Sequence, residues 1–288
     1  MATPSRTASY ALMLLCLLFF PATVALAQEE PEQAERPYFV TYDDHLENRG
    51  ELEISLATTA GDVRNEATRY YAPWTEIEYG VTSWWTSELY LEGSTFAGDA
   101  AAFTGWRLEN RVRPLKGDHL FTPVLYVEYE DVNDASRIRT EVVGRGPLPF
   151  GPISELTQDR NRELEGRFIV SSHFGRWNVS ENFLAEKNFS AEEGVEFGYA
   201  VGVARAFGSG LESCRFCPSA FIASVEAYGG LGTTAADATG ALQQYIAPVF
   251  SWHVTPGSLF RASIGFGLTS ASDRYLVRFG YSFDIEFK

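Results

Sequence analysis

The sequence predicts an all-β fold, a closed antiparallel up-and-down transmembrane β-barrel with twelve strands most favoured. The last fourteen residues, 275–288, alternate between apolar and mostly polar side chains, as a strand with one apolar face does. Similar alternating stretches, separated by turn signals, fill the chain from residue 49 onward. Beyond the N-terminal leader, the sequence contains no apolar run long enough for a transmembrane helix.

Twelve stretches carry the strand pattern, and twelve is an even number, as single-chain bacterial barrels require. They are residues 51–58, 70–81, 85–95, 102–113, 120–130, 162–174, 176–187, 195–207, 220–230, 243–254, 258–269 and 275–288. If the N-terminus starts in the periplasm, the links after even-numbered strands should be short. Four of those five links are short, whereas the opposite links 59–69, 131–161 and 231–242 are longer. The longest, 131–161, is a candidate to fold inward and gate or plug the lumen.

Several residues conflict with the strand pattern. Pro73, Pro123 and Pro248 each remove a ladder hydrogen bond, so we expect bulges or strand ends there. The alternation puts Glu181 on the lipid side, where a basic residue costs up to roughly 2–4 kcal/mol and an acid less. We therefore expect a bulge or a register shift near Glu181. Arg205 also faces outward, and near the periplasmic end it can reach the headgroups.

Residues 1–27 are predicted to be a cleaved signal peptide. Arg6 precedes an apolar run over residues 10–20, and Ala25-Leu26-Ala27 supplies small residues before cleavage at Gln28. A retained membrane anchor and a lipoprotein signal at Cys16 are the alternatives. Residues 28–48 are acidic and contain proline without a sustained period, which predicts a periplasmic N-terminal segment. The barrel then occupies residues 49–288.

Charge excludes some classes of partner. The chain carries 38 Asp and Glu against 23 Lys and Arg, a net charge of −15. This excess of acid opposes nucleic-acid binding, which depends on neutralising phosphates. It equally opposes a basic pore for anionic sugars.

Two cysteines remain after the leader, Cys214 and Cys217. In an oxidising periplasm they predict a small structural disulfide. Free thiols are one alternative, and a metal or redox role is the other. Zinc would need two further ligands at motif spacing, and a redox motif would need a thioredoxin-like βαβ setting.

The inward positions of the predicted strands carry most of the charge. The candidate lumen lining is Glu53, Glu76, Glu78, Glu88, Glu92, Arg107, Glu109, Arg111, Arg113, Glu128, Glu165, Arg167, Glu226, Arg261, Arg278 and Asp284. One interpretation is a salt-bridged interior that fills a narrow, closed structural or surface-interaction barrel. The other, slightly favoured, is a narrow channel whose acidic excess selects small cationic or neutral polar solutes. Twelve strands enclose more space than eight but less than a sixteen-strand porin.

The closing strand resembles the last strand of bacterial outer-membrane barrels, in which a terminal aromatic strand serves as an assembly signal. The stretches YIAPV (245–249), LFRASIGFG (259–267), YSF (281–283) and IEYGVT (77–82) resemble transporter-like outer-membrane barrels grouped with a phenol-degradation pathway protein. The resemblance implies a transport-type barrel in the outer membrane of a Gram-negative-type bacterium. Its implied partners are outer-membrane lipid, the barrel-assembly machinery during insertion and small solutes.

A lipid-hydrolysing barrel is the third hypothesis. A similar barrel phospholipase uses a serine and a histidine two residues apart on its lipid-facing wall. Here Ser171 and His173, and Ser251 and His253, have that spacing, but in reverse order and on the predicted lumen face. A nucleophile also needs a base within hydrogen-bond reach and an orienting third group, and the sequence offers no evident third member. We therefore predict no enzyme, and no catalytic residue, cofactor or metal.

Overall fold

The computed structural model describes residues 37–62, 69–96, 98–115, 119–138, 151–191, 194–208, 216–235 and 242–286. They form twelve strands and two short helical turns, α1 (Ile153–Leu156) and a 3-10 turn at Pro218–Ala220. The strands are β1 (Glu51–Asp62), β2 (Arg69–Thr82), β3 (Trp85–Phe96), β4 (Ala101–Val112), β5 (Thr122–Asn133), β6 (Arg160–Phe174), β7 (Trp177–Asn188), β8 (Val195–Ala206), β9 (Phe221–Thr233), β10 (Gln244–Thr255), β11 (Ser258–Gly267) and β12 (Tyr275–Glu286). Within this described part, neither helical turn is long or apolar enough to cross a membrane.

Every strand pairs antiparallel with its neighbour in the chain, and β1 pairs with β12 to close the sheet. The closing register joins Ser55 to Ser282 and Thr59 to Arg278. The predicted twelve-strand closed barrel is therefore confirmed. Strand ends differ by a few residues at most, the largest difference being β1, which runs on from Thr58 to Asp62.

The barrel is apolar outside and polar inside. Leu56, Phe168 and Phe279 face outward and remain about half exposed, at 53%, 49% and 48%. Their strand neighbours Ser55 and Arg278 point inward and are buried. Alternate residues of one strand thus face lipid-compatible and polar surroundings, as in a membrane barrel.

Pro73 and Pro248 lie inside β2 and β10, and the register on either side of each is unchanged, so the bulges or strand ends expected at these two residues are wrong. On the β10–β11 side, Ile246 pairs with Phe266 and Val249 with Ser263. Ser263 Oγ donates to the Pro248 carbonyl at 2.9 Å. The β2–β3 register passes from Tyr71 to Trp74 across Pro73. Pro123 is the second residue of β5, close to a strand end.

The shift expected at Glu181 is wrong. Glu181 pairs with Val170 and Val201 in unbroken register, and its side chain is exposed on the outer wall. A one-residue slip would turn every inward side chain of β7 outward, including the buried Asn178, Asn182 and Glu186. One outward carboxylate costs less than several outward polar groups.

Candidate functional site in the barrel lumen

Residues 37–48, here called the lumen segment, lie inside the barrel. The sequence predicts a periplasmic position for residues 28–48, so the described part of that stretch corrects the prediction. Three consecutive backbone amides, of Phe39, Val40 and Thr41, donate to the Glu226 carboxylate on β9 at 3.0, 2.8 and 2.6 Å. Backbone groups away from water need such partners, and a wall carboxylate supplies them here.

Arginines of the wall satisfy the opposite side of the same backbone. Arg261 donates to the Tyr38 carbonyl at 2.8 Å, Arg167 to the Val40 carbonyl at 3.0 Å, and Arg111 to the His45 carbonyl at 3.1 Å. These donors come from β11, β6 and β4. The segment is therefore held through its main chain by groups from well-separated strands.

Two tyrosines, Tyr38 and Tyr42, anchor the segment to the wall. Tyr38 is 1% exposed, and its hydroxyl donates to Asn178 Oδ1 at 2.7 Å. The Tyr42 carbonyl accepts a hydrogen bond from Asn182 Nδ2 at 2.8 Å, and the Tyr42 backbone amide donates to Asn182 Oδ1 at 2.7 Å. The Tyr42 hydroxyl also lies 2.9 Å from Glu109 Oε2 and 2.8 Å from the Tyr90 hydroxyl.

An acidic pair follows in the same segment. Asp44 Oδ1 lies 2.8 Å from His173 Nε2 at the end of β6. Burial alone would raise the pKa of Asp44, but the hydrogen bond and charge of His173 hold that pKa below its ordinary value. Burial, and then the charge of Asp44, raise the pKa of Asp43. The pKa values of the two neighbouring carboxyls are thus shifted in opposite directions.

The structure places most of the candidate lining residues on the inner wall as buried side chains. These are Glu53, Glu76, Glu78, Glu88, Glu92, Arg107, Glu109, Arg111, Glu128, Glu165, Arg167, Glu226, Arg261 and Arg278. Arg113 and Asp284 are only half buried. Arg113 follows the end of β4, and its Nη2 donates to the carbonyl of Ser83, between β2 and β3, at 3.4 Å. The Asp284 amide donates to the Gly257 carbonyl at 3.0 Å.

Sequence reasoning missed three further buried acids, Glu130, Glu163 and Glu186. Each lies two residues from, or directly opposite, a residue of the same inward face, so strand parity alone could have found them. One oxygen from each carboxylate lies within 4.8 Å of the others, as in the group Glu47, Glu53 and Glu78. Glu78 is paired with Arg111, and we assign no metal to either group.

Ion pairs on the inner wall join side chains both within and between strands. Arg107 reaches Glu92 and Glu128 at 2.5 and 3.2 Å. Arg111 pairs with Glu78 and, at 2.7 Å, with Glu109. A further pair, within β6, joins Arg167 to Glu165 at 2.8 Å. Arg107 and Arg167 also lie 4.1 and 4.7 Å from the ring centres of Tyr90 and Tyr126.

The long link after β5 enters the lumen from the other end. Ser94 Oγ donates to the Ala135 carbonyl, and Ser136 Oγ to Glu92 Oε2, both at 2.8 Å. In α1, Ile153 and Leu156 are buried in a cluster with Tyr70 and Phe96. Residues 139–150 lie outside the described part, so inward folding is observed only for the two flanks of the link.

Between the lumen segment and this link lies a cavity of about 70 Å³. Its lining is Phe39, Val40, Tyr42, Thr59, Trp74, Glu76, Tyr90, Arg107, Tyr126, Glu128, Glu130, Ile138, Glu165, Arg167 and Arg278. The cavity is thus bounded by aromatic rings and by charges of both signs.

The serine–histidine pairs do not form nucleophile–base contacts among the described residues. Ser171 Oγ contacts Asn178 Nδ2 at 2.8 Å and Ser180 Oγ at 2.9 Å, whereas His173 Nε2 contacts Asp44. Ser251 Oγ and both ring nitrogens of His253 are buried without a hydrogen-bond partner. Neither arrangement offers the activated hydroxyl that serine catalysis requires.

Cys217 is disulfide-bonded. Cys214 lies outside the described residues, so the pairing between these two cysteines stays a prediction. The signal peptide over residues 1–27 also lies outside them and stays a prediction.

A closed twelve-strand barrel with an apolar outer wall and a charged inner wall defines the class of outer-membrane β-barrels. The fold is similar to that of the COG4313 outer membrane channel from Pseudomonas putida F1, with a TM-score of 0.56 and 10% identity, covering 84% of this chain and 97% of that one. It is also similar to a KdgM porin in complex with disordered oligogalacturonate, with a TM-score of 0.50 and 8% identity, covering 83% and 99%. No family model and no curated protein matches the chain. At these identities the likeness shows the fold, and the particular barrel family stays a prediction.

Proposed function

We propose that this outer-membrane barrel is a narrow channel for passive passage of small cationic or neutral polar solutes, and that the described conformation is its closed state. The observation that carries this proposal is the charge of the inner wall. Among the described residues, buried carboxylates clearly outnumber buried guanidinium groups. Such an excess favours cations over anions in a pore. It would not suit an anionic chain such as the oligogalacturonate bound to the KdgM porin.

The way in which the lumen is filled also supports a channel. The cavity is bounded at two sides by Val40 of the lumen segment and Ile138 of the link, which are not residues of the wall. A twelve-strand wall encloses more space than its own side chains fill. Moving either segment would therefore widen the path without opening the sheet.

Glu165 offers a direct test of cation selectivity. It lines the cavity and is 4% exposed. We expect Glu165→Gln to lower the cation-over-anion permeability ratio by about fourfold, because one unit charge about 10 Å away in water favours a cation about twofold and disfavours an anion by the same factor. Reversal potentials in planar bilayers under a KCl gradient measure this ratio.

Glu181→Gln is the matched control, because Glu181 faces outward and should leave the permeability ratio unchanged. A correctly folded, heat-modifiable barrel that never conducts would contradict the channel. It would favour the second candidate, a closed structural or surface-interaction barrel. The observation behind that candidate is the set of buried ion pairs that Arg107, Arg111 and Arg167 make on the lumen wall.

A further inference from the structure

We propose that the inner wall contains a binding site for an extended peptide, that the lumen segment occupies this site as a plug, and that the segment leaves it as one unit to open the pore. The opening step rests on the proposed channel function, whereas the binding site does not. Three features of the described residues carry the inference.

The first feature is that the wall binds both the N–H groups and the C=O groups of the segment's main chain. One carboxylate, Glu226, receives three consecutive amides, and Arg261 and Arg167 donate to the carbonyls of Tyr38 and Val40. Glu226 is fully buried. A carboxylate buried by the segment needs donors to offset its lost hydration, and the three consecutive amides of the segment supply them.

The second feature is space reserved for the segment's side chains. Gly202 on β8 faces inward, and a Cβ built there would lie 2.4 Å from the ring of Tyr38. Its inward neighbours on the strand, Ala200 and Ala204, are also small. At Gly280 on β12 a Cβ would approach the Phe39 ring to 3.2 Å. The wall is therefore shaped to accept two consecutive aromatic residues of the segment.

The third feature is that the segment can leave without breaking the barrel. All twelve strands pair with one another in the closed sheet, and the segment adds no strand to it. Its covalent connection to β1 passes through Gly50, which has a φ of 84° that suits a turn. Its main chain is held to the wall by hydrogen bonds, which water can replace at modest net cost. Release therefore exchanges polar contacts for hydration and leaves the sheet intact.

The experiment measures release of the segment separately from conductance. Thr41→Cys places a thiol at a site that is 5% exposed, in a chain whose Cys217 is already disulfide-bonded. A membrane-impermeant maleimide then reports how often the segment leaves its site in full-length protein in liposomes. Gly202→Ala is the perturbing change, and Gly166→Ala is its control, because a Cβ at Gly166 meets nothing closer than 4.0 Å.

We expect Gly202→Ala to raise the maleimide reaction rate about tenfold or more, because the added Cβ would overlap the Tyr38 ring and overpacking a closely packed site weakens it by that order. Gly166→Ala should leave the rate unchanged. Glu226→Gln, which replaces one acceptor oxygen with a donor, should raise the reaction rate similarly. It takes the place of Gly202→Ala if that variant does not fold. Heat-modifiable migration shows that each barrel is closed.

The outcomes separate the two proposals. Equal reaction rates in Glu226→Gln, Gly202→Ala and the control would overturn the plug. A faster reaction with higher conductance supports both the plug and the channel. A faster reaction without any conductance supports the peptide site and its release, and overturns the channel function and pore opening.

Discussion

Arg111 shows at the scale of one residue how the lumen is held together. Its side chain is 1% exposed and contacts three acids, Glu78 on β2, Glu88 on β3 and Glu109 on its own strand β4. It also donates to the His45 carbonyl of the lumen segment. One guanidinium thus offsets the mutual repulsion of three buried carboxylates and binds the segment to the wall.

We expect Arg111→Met to lower the free energy of unfolding by about 3–5 kcal/mol, because it leaves buried carboxylates without their cation. Arg113→Met, two residues along the chain, should change it by less than about 0.5 kcal/mol, because Arg113 is half buried and lies in the turn beyond β4. Denaturant titration of both variants in lipid measures the difference. Equal losses in the two variants would show that the acids around Arg111 do not depend on its charge.

At the scale of the element, β7 shows what fixes the register of a membrane strand. Its inward side chains include Asn178, Ser180 and Asn182, which bond to Tyr38, Ser171 and Tyr42. These bonds keep Glu181 on the outer wall between Val170 and Val201. Polar partners inside the barrel therefore outweigh one unfavourable residue outside it.

This balance makes neighbouring positions of β7 respond with opposite sign. Glu181→Leu should raise the free energy of unfolding by up to about 2 kcal/mol, because it removes a charge from the lipid-facing wall. Ser180→Leu should lower it by about 1–3 kcal/mol, because the larger side chain must fit a closely packed inner wall. Equilibrium unfolding in lipid measures both. Stabilisation by Ser180→Leu would mean that β7 is shifted by one residue.

The same contrast explains what the sequence could and could not predict. Strand positions follow from a period of two, which is local, so all twelve strands are predicted to within a few residues. The position of the lumen segment depends on Glu226, Arg261, Arg167 and Asn182, which are far apart in the chain. Its own composition, acidic and without a period, resembles that of an exposed tail. Local sequence therefore predicts a periplasmic position, and long-range hydrogen bonds place the segment inside the barrel instead.

At the scale of the whole molecule, the barrel surrounds a second, separately held layer. The outer layer is the closed sheet, and the inner layer consists of the lumen segment and the inward flanks of the link after β5. The two layers meet mainly through charged and polar groups. The equilibrium between a docked and a released segment should therefore depend on pH.

Asp43 gives that dependence its sign at pH values above the ordinary carboxyl pKa of about 3.9. Burial and the charge of Asp44 raise the pKa of Asp43 in the docked state, so docking binds protons and is favoured as the pH falls. His45 and His173, whose charges act in the opposite direction on Asp43, face the same carboxyl. The pKa of Asp44 is lowered, so its contribution to docking is lost only below its ordinary range of about 3.9, outside this interval.

We therefore expect the cysteine introduced by Thr41→Cys to react more slowly, relative to a free thiol at the same pH, at pH 5 than at pH 7. Adding Asp43→Asn should remove most of this difference, because an amide does not titrate. Adding His119→Gln is the control, since His119 lies in the link between β4 and β5 and outside the lumen segment. A pH dependence that persists unchanged in Asp43→Asn would assign the proton to another group, and faster reaction at pH 5 would reverse the sign derived from Asp43.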